Sequence, residues 1–202
     1  MPFELLSSYG IKTAPFFLSK NEKTALLHAQ RVGYPVSLKI ISDKIIHKTE
    51  VGAVKIGIES PGELIYAYRL MKRRFPRESK KGILVQKMIR GIELIVGGRR
   101  DPQFGHVVIF GLGGIYTEYL RDISIRVCPI TEKEAKTMIH QIRSYPILAG
   151  ARTGRPVNRR AIVDVLLKTS SLLQEKDLRE IDLNPVIANR DGAFVVDAKI
   201  IR

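Results

Sequence analysis

The sequence contains a single cysteine, Cys128, and no tryptophan among its 202 residues. One cysteine excludes a disulfide within the chain and a zinc site built on clustered cysteines. The longest apolar runs, such as "VVIFGLGGI", are shorter than the roughly 18 residues that indicate a membrane-spanning helix, and no segment has the pattern of a signal peptide. We therefore expect a folded, cytoplasmic protein with Cys128 in its core.

Acidic residues are scarce relative to basic ones, since 34 lysines and arginines face 20 aspartates and glutamates, a formal net charge of +14. The stretch "RLMKRRFPRESKK", Arg69 to Lys81, concentrates this charge, as in many nucleic-acid-binding proteins. Aromatic residues make up only 7% of the chain and do not alternate with these cations, so base stacking is not indicated. We favour a solvated cationic face and small anionic ligands (nucleotides, coenzyme A or phosphate) over a nucleic-acid partner.

Helices and strands are interleaved along the chain. A Ser or Thr followed three residues later by Glu predicts a helix start, and a further helix is predicted from Asn158. The capping pairs are Ser19 with Glu22, Ser60 with Glu63, and Thr131 with Glu134. The strand-like runs are "VSLKII", "GAVKIGI", "GILVQKM", "IELIVGG", "HVVIFGL", "EIDLNPVIA" and "AFVVDAKII". This order predicts an α/β or α+β protein, with an N-terminal lobe over residues 1–82 and a C-terminal lobe over residues 83–202.

The run "VSLKII" places one charge in an otherwise apolar strand. Alternation puts Lys39 on the face opposite Leu38 and Ile40. Soon afterwards Gly52 and Ala53 form a small-residue loop whose backbone amides can approach an anion closely. Lys39 is therefore a candidate phosphate ligand, with a lysine that simply reaches water as the open alternative.

The C-terminal stretch "EIDLNPVIANRDGAFVVDAKII" predicts a β-hairpin that turns near Asp191 and Gly192. Asp182 and Asn184 share one face of the first strand, and a two- or four-residue loop brings Asp197 opposite Val186 or Asn184 on that face. Oxygen-bearing side chains of this kind bind Mg²⁺, which keeps waters and nucleotide phosphates as its other ligands. We favour a metal site over a solvated polar face, because Asp and Asn are poor strand formers.

Taken in order, several stretches resemble the ATP-grasp β subunit of the ADP-forming acetyl-CoA synthetases (acyl-CoA synthetases, NDP-forming), which are related to succinyl-CoA synthetase. These stretches are "YGI", "VGYPVSLKIISDKIIHKTEVGAVKIGI", "RDPQFGHVVIFGLGGIYTEYLRDISIRVCPIT", "YPILAGARTGRPVN" and "EIDLNPVIANRDGAFVVDAKII". The resemblance implies an ATP-grasp fold of two lobes that bind a nucleotide between them. Low Cys, Met, Asn and Gln content together with many charges is also in keeping with a thermophilic source.

The resemblance further implies an acid–thiol ligase. The family converts acyl-CoA, ADP and phosphate to acid, ATP and CoA by way of an acyl phosphate and a phosphohistidine on a separate α subunit. We therefore expect Mg²⁺ and ADP or ATP as ligands and a CoA-binding α subunit as partner in an α2β2 heterotetramer. A regulatory ATP-grasp module of a related acyltransferase, or a succinyl-CoA synthetase-like subunit, is the alternative.

Site residues follow from matching the family motifs. By resemblance, Lys39 contacts nucleotide phosphates, and Gly52, Ala53 and Val54 cover them. Gln86 and the Met88 backbone line the adenine pocket, and Glu93 orients ribose or lysine. Asn184 and Asp197 match the magnesium ligands.

The motif "IIHK" carries the most specific expectation. By resemblance His47 is a second, transient phosphoryl carrier, and Asp182 supports the transfer. A carboxylate on the other ring nitrogen would fix the tautomer of the histidine and stabilise its phosphorylated form.

Two departures from the family pattern lead to further expectations. The loop reads "EVGAV" where family members commonly have a double glycine, so we expect Ala53 to stiffen the lid over the nucleotide. The chain also begins close to "YGI", so we expect it to lack the leading helix that is usual in separate β subunits.

Overall fold

The computed structural model describes residues 2–42, 45, 51–114, 122–151 and 154–202. The chain forms two compact units. The small unit is Ala14–Ile89, and the large unit combines Met1–Thr13 with Arg90–Arg202. None of the helices in the described part of the chain is long and apolar enough to cross a membrane.

Helices and strands alternate along both units, in agreement with the predicted mixed fold. The helices are Pro2–Ser8 (α1), Glu22–Val32 (α2), Pro61–Arg74 (α3), Glu132–Gln141 (α4), Tyr145–Leu148 (α5) and Arg159–Glu175 (α6), with a 3₁₀ turn at Glu78–Lys81. The strands are Phe16–Ser19 (β1), Val36–Ile40 (β2), Val54–Ile58 (β3), Ile83–Lys87 (β4), Ile92–Asp101 (β5), Gly105–Leu112 (β6), Ile123–Val127 (β7), Glu180–Ala188 (β8), Ala193–Val195 (β9) and Ala198–Ile201 (β10).

The small unit is an antiparallel sheet in the order β1–β4–β2–β3, packed against α2 and α3. Every second side chain of β2 (Val36, Leu38 and Ile40) enters the core with the inner residues of the two helices. Leu64, Ala67, Tyr68 and Met71 of α3 follow the i, i+3, i+4, i+7 spacing that puts them on this inner face.

The large unit is built on a second antiparallel sheet in the order β10–β8–β5–β6–β7, with β9 paired to β8. Helix α6 packs on β5, β6 and β8, and α4 packs on β6, β7 and α6. Gly98 of β5 makes room for α6, because a Cβ there would collide with a Leu173 methyl carbon.

Two of the three predicted capping pairs are confirmed. The Ser60 side chain accepts a hydrogen bond from the Glu63 N–H at the start of α3, and Thr131 does the same for Glu134 at the start of α4. Asn158 caps α6, as predicted. The pair Ser19 with Glu22 is wrong, because Asn21 caps α2 and forms a reciprocal box with Thr24.

The expected lobe boundary after residue 82 needs correction. Strand β4 lies beyond that boundary, yet it pairs with both β1 and β2 and so completes the small-unit sheet. The first residues of the chain belong to the large unit, since the Val195 N–H donates to the Lys12 carbonyl at 2.9 Å. The basic stretch before Gly82 is therefore followed by one more strand of the small unit.

A helix does precede "YGI", contrary to the expectation of a missing one. Phe3 and Leu6 of α1 are both buried, and the helix contacts β10. Their i, i+3 spacing gives even this short helix one apolar face to pack on the large unit.

Several charged side chains have structural partners. Arg69 makes a bidentate ion pair with Glu22, with a shortest distance of 2.8 Å, between α3 and α2. Arg100 Nη1 lies 3.3 Å from Asp177 Oδ2. Asp122 accepts hydrogen bonds from the backbone N–H groups of Arg143 (2.7 Å) and Ser144 (2.8 Å), which fixes the turn between α4 and α5.

Asp122 generates a prediction about stability and pH. Burial alone would raise the pKa of Asp122, but hydrogen bonds from Ser144 and Arg143 and the charge of Arg143 bring it below its ordinary value. A lowered pKa means that the ionised carboxylate stabilises the fold above about pH 4 and loses this effect as the pH falls through the lowered value. We expect Asp122→Ala to lower the free energy of unfolding by about 1–3 kcal/mol at pH 7, measured by urea unfolding. This difference from the wild type should shrink below pH 4. A deficit that is the same at pH 7 and pH 3 would contradict this assignment.

Candidate functional site

Three of the predicted ligand-binding residues of the small unit lie on one face of its sheet. Lys39 is paired with Val54 of β3 and with Leu84 of β4, and Gln86 is paired with Ser37, two residues before Lys39. Paired residues of neighbouring strands point to the same side of a sheet. Lys39, Val54 and Gln86 therefore share the face opposite the core of α2 and α3.

Gln86 is the most unusual polar residue on this face. Its side chain is fully buried, and neither its Oε1 nor its Nε2 has a hydrogen-bond partner among the described residues. A buried amide without partners costs about 1–3 kcal/mol for each unpaired group. The side chain therefore presents a donor and an acceptor that the described part of the protein does not use.

Lys39 is nearly buried as well, with 9% of the residue exposed. All five residues of β2 and four of the five residues of β4 are buried. The Ser37 hydroxyl donates to the backbone carbonyl of Gln86 at 3.5 Å, a contact that was not predicted. The alternation in "VSLKII" could have identified Ser37 as part of this face, because it puts Ser37 on the same side as Lys39.

The loop that precedes β3 is anchored to β2. The Ile40 N–H donates to the Ala53 carbonyl at 2.9 Å. Gly52 has φ +71°, a left-handed conformation that favours glycine. Ala53 is fully buried within the core cluster, so its methyl group fills space beside Ile40 at the base of the loop.

Met88 follows β4, and its polar groups are partly engaged. Its backbone N–H donates to the Pro35 carbonyl at 3.1 Å. Its sulfur accepts a hydrogen bond from the Gly57 N–H at 3.0 Å. A backbone contact from Met88 to a base would therefore be made by its carbonyl group.

In the large unit, β8 carries a row of polar side chains. Ile181 and Leu183 are buried, whereas Glu180, Asp182 and Asn184 alternate with them and lie on the other face. Asp182 is paired with Gly97 of β5 on one side and with Lys199 of β10 on the other.

The hairpin after β8 closes through a four-residue loop, residues 189–192. Its register pairs Val186 with Val195, and β10 keeps the same register by pairing Ala198 with Leu183. Val196 and Asp197 lie between β9 and β10, and the pairs on either side leave them facing Asn184 and Pro185, close to one of the two arrangements predicted. The Ala198 N–H donates to Asp197 Oδ1 at 3.0 Å and orients that carboxylate.

The carboxylates of this region influence one another. Burial raises the pKa of Asp182 above its ordinary value, the charge of Glu180 raises it further, Lys199 lowers it, and Asp197 raises it again. Glu180 and Lys199 were not predicted as neighbours of Asp182, although the period-two spacing of "EIDLN" places Glu180 on the same face.

Glu93 lies on β5 beside the glycine turn that follows β6. The Gly113 N–H donates to the Glu93 carbonyl at 2.7 Å, and a Cβ at Gly114 would lie 3.3 Å from Glu93 Oε2. The two glycines of "FGLGG" therefore allow the chain to pass close to Glu93. His47 lies outside the described residues, and its predicted role stays a prediction.

Both the sequence and the fold match proteins of known identity. The ATP-grasp domain family matches residues 2–201. The β subunit of ADP-forming acetate–CoA ligase I from Pyrococcus furiosus is 44% identical over 204 residues, which cover 98% of this chain and 88% of that protein.

Two solved structures of the dinucleotide-forming acetyl-coenzyme A synthetase 1 from Ca. Korarchaeum cryptofilum share the fold. The first, in complex with coenzyme A, Ca-AMPCP and HgCl⁺, has a TM-score of 0.90 and 43% identity and covers 99% of this chain and 90% of that chain. The second contains coenzyme A and Mg-AMPPCP, and its phosphohistidine segment points towards the nucleotide-binding site. It has a TM-score of 0.86 and 39% identity and covers 99% of this chain and 89% of that chain.

The buried position of Ala53 predicts the effect of restoring a glycine there. Ala53→Gly removes a buried methyl group, worth about 0.8 kcal/mol, and adds backbone freedom to the unfolded chain, worth about 0.5–1 kcal/mol. We expect the free energy of unfolding, measured with urea, to fall by about 1–2 kcal/mol. Unchanged or increased stability would show that the methyl group does not contribute to the core.

Proposed function

Because the chain belongs to the ATP-grasp family and, within it, to the β subunits of the ADP-forming acetate–CoA ligases, we propose that it is the nucleotide-binding subunit of such a ligase. The overall reaction converts acyl-CoA, ADP and phosphate to acid, ATP and CoA. In the part assigned to this chain, the phosphoryl group arrives as a phosphohistidine of the partner subunit, passes to His47 and then to ADP. The same steps in reverse drive thioester formation with ATP.

Gln86 is the observation that carries the nucleotide assignment. A purine base offers both donors and acceptors along its edge, so it can pair with the two unpartnered groups of this buried amide. Met88, two residues further along the chain, offers its carbonyl to the same base. The free protein bears the cost of the unpaired amide, and a bound base would remove it.

Lys39 and the loop Gly52, Ala53 and Val54 bind the phosphates of the nucleotide in this proposal. Phosphoryl transfer depends on alignment and on neutralising charge, for which a lysine and backbone N–H groups suffice. The nearly buried position of Lys39 supports this role, because an ammonium removed from water interacts more strongly with an anion. Glu93, held beside Gly113, orients the ribose or a lysine.

Asn184 and Asp197 would hold Mg²⁺. Both residues lie on facing segments of the hairpin, and their side chains offer the oxygen ligands that this ion prefers, which supports the assignment. The neighbouring carboxylates Glu180 and Asp182 repel each other, and a divalent cation would relieve that repulsion. When bound, the ion would neutralise charge on the phosphates.

The proposed reaction requires a second subunit. The chain would assemble with a CoA-binding α subunit, which supplies the first phosphohistidine, in an α2β2 heterotetramer. The β-subunit name of the Pyrococcus furiosus relative and the coenzyme A bound in the Ca. Korarchaeum cryptofilum enzyme support such a partner.

Gln86→Met separates a binding role from a structural one. Replacing the amide by an apolar side chain of similar length removes two unpaired polar groups, so we expect the free protein to gain about 1–2 kcal/mol in urea unfolding. Mg·ADP affinity measured by calorimetry should fall roughly tenfold or more. Gln30→Met, on the exposed side of α2, is the matched control and should change neither quantity. Lower stability with unchanged affinity would assign Gln86 to the core alone.

Phosphate trapping tests the role of His47. Incubation with γ-labelled ATP and Mg²⁺ should leave an acid-labile, base-stable phosphate on the protein, because phosphohistidine has that stability. His47→Ala should abolish the label, whereas His28→Ala, which alters a histidine hydrogen-bonded to Ser19, should retain it. A label that persists in His47→Ala would refute the assignment.

A further inference from the structure

The basic stretch Arg69 to Lys81 divides according to what its side chains contact. Arg69 belongs to the ion pair with Glu22. Lys72, Arg73 and Arg74 occupy the last turn of α3, where cations are favoured by the helix dipole. Arg74 differs from its neighbours, because its side chain reaches the turn that precedes β3.

The guanidinium of Arg74 lies against Gly52. A Cβ at Gly52 would be 3.2 Å from Arg74 Nη1, 3.5 Å from Cζ and 4.0 Å from Nε. Three atoms of the group at such short range place its flat fork beside the backbone of the turn. The absence of a side chain at Gly52 therefore serves both the left-handed φ of +71° and the approach of this cation.

Two cations thus flank one turn from opposite faces of the small-unit sheet. Helix α3 packs on the core face, together with Ala53 and Ile40. Lys39 lies on the other face and is paired with Val54, the first residue after the turn. The hydrogen bond from the Ile40 N–H to the Ala53 carbonyl fixes the base of the turn between them.

We propose that Arg74 is a positioning residue for the phosphates of the nucleotide, acting by holding the Gly52 turn in place. This inference rests on the proposed nucleotide site and deepens it. The guanidinium packs its plane against the turn, and its permanent charge there lowers the cost of bringing an anion to the turn. Part of the basic stretch then serves phosphate binding.

The test compares Arg74→Ala with Arg73→Ala, which removes the same charge from an exposed arginine in the same helical turn. Mg·ADP affinity should fall about tenfold in Arg74→Ala, because a cation beside the turn is lost together with its packing, and less than about twofold in Arg73→Ala. Adenosine, which lacks phosphates, should bind equally to wild type and both variants. Arg74→Lys keeps the charge without the fork and should lie between wild type and Arg74→Ala.

Equal ADP affinities for Arg74→Ala and Arg73→Ala would overturn the proposal, and so would an equal loss of adenosine binding in Arg74→Ala, since that indicates general damage to the site. A wild-type chain that binds no Mg·ADP would overturn the proposed function itself, together with this inference. Wild-type binding without any distinction between the two arginines would overturn this inference alone.

A double-mutant cycle gives a second, independent measure. Gly52→Ala places a methyl group 3.2 Å from Arg74 Nη1 and a side chain at φ +71°, so crowding and backbone strain together should weaken Mg·ADP binding in the wild-type background. In the Arg74→Ala background the same change should have a smaller effect, because the contact is already lost. If Gly52→Ala weakens Mg·ADP binding by the same factor in both backgrounds, the two residues are not coupled and the proposal is contradicted.

Discussion

The organisation of the small unit depends on one constraint: polar side chains are buried on a sheet face opposite the apolar core. Lys39 and Gln86 lie on strands whose residues are almost all buried. Ser37, on the same strand and face as Lys39, is paired with Gln86. An apolar residue in place of Gln86 would stabilise the fold, because it would not carry the desolvation cost of an unpartnered amide. The free energy given up here points to a ligand, and the antiparallel register of β2 and β4 is what brings the polar groups to one face.

The large unit shows the same relation between register and chemistry. The pairs on either side of the break between β9 and β10 bring Asp197 to the segment that faces Asn184, and Asp182 is paired with Lys199. Crowded carboxylates destabilise an isolated domain and stabilise one that binds a divalent cation. In each unit, polar or charged residues that are costly to bury lie among those that we assign to nucleotide and metal.

Much of this arrangement follows from local sequence patterns. Alternation placed Lys39 and Asn184 on their faces, and short-range capping rules found the starts of α3, α4 and α6. The rules failed where two signals competed, as at α2, where Asn21 rather than Ser19 caps the helix. The lobe boundary failed because a run of charge is a local feature, whereas the place of β4 between β1 and β2 is decided by long-range pairing. The contact between Arg74 and Gly52 is likewise invisible to periodicity, because it depends on where a loop meets the end of a helix.

The most direct test of the central claim is to observe the Gln86 side chain itself. In a protein labelled with ¹⁵N, the side-chain amide resonances of Gln86 can be assigned by their loss in a Gln86 variant and then followed during titration with Mg·ADP. We predict a saturable shift of these resonances, together with slower exchange of their protons, as the amide gains partners. Saturable binding of Mg·ADP that leaves the Gln86 amide unchanged would contradict it.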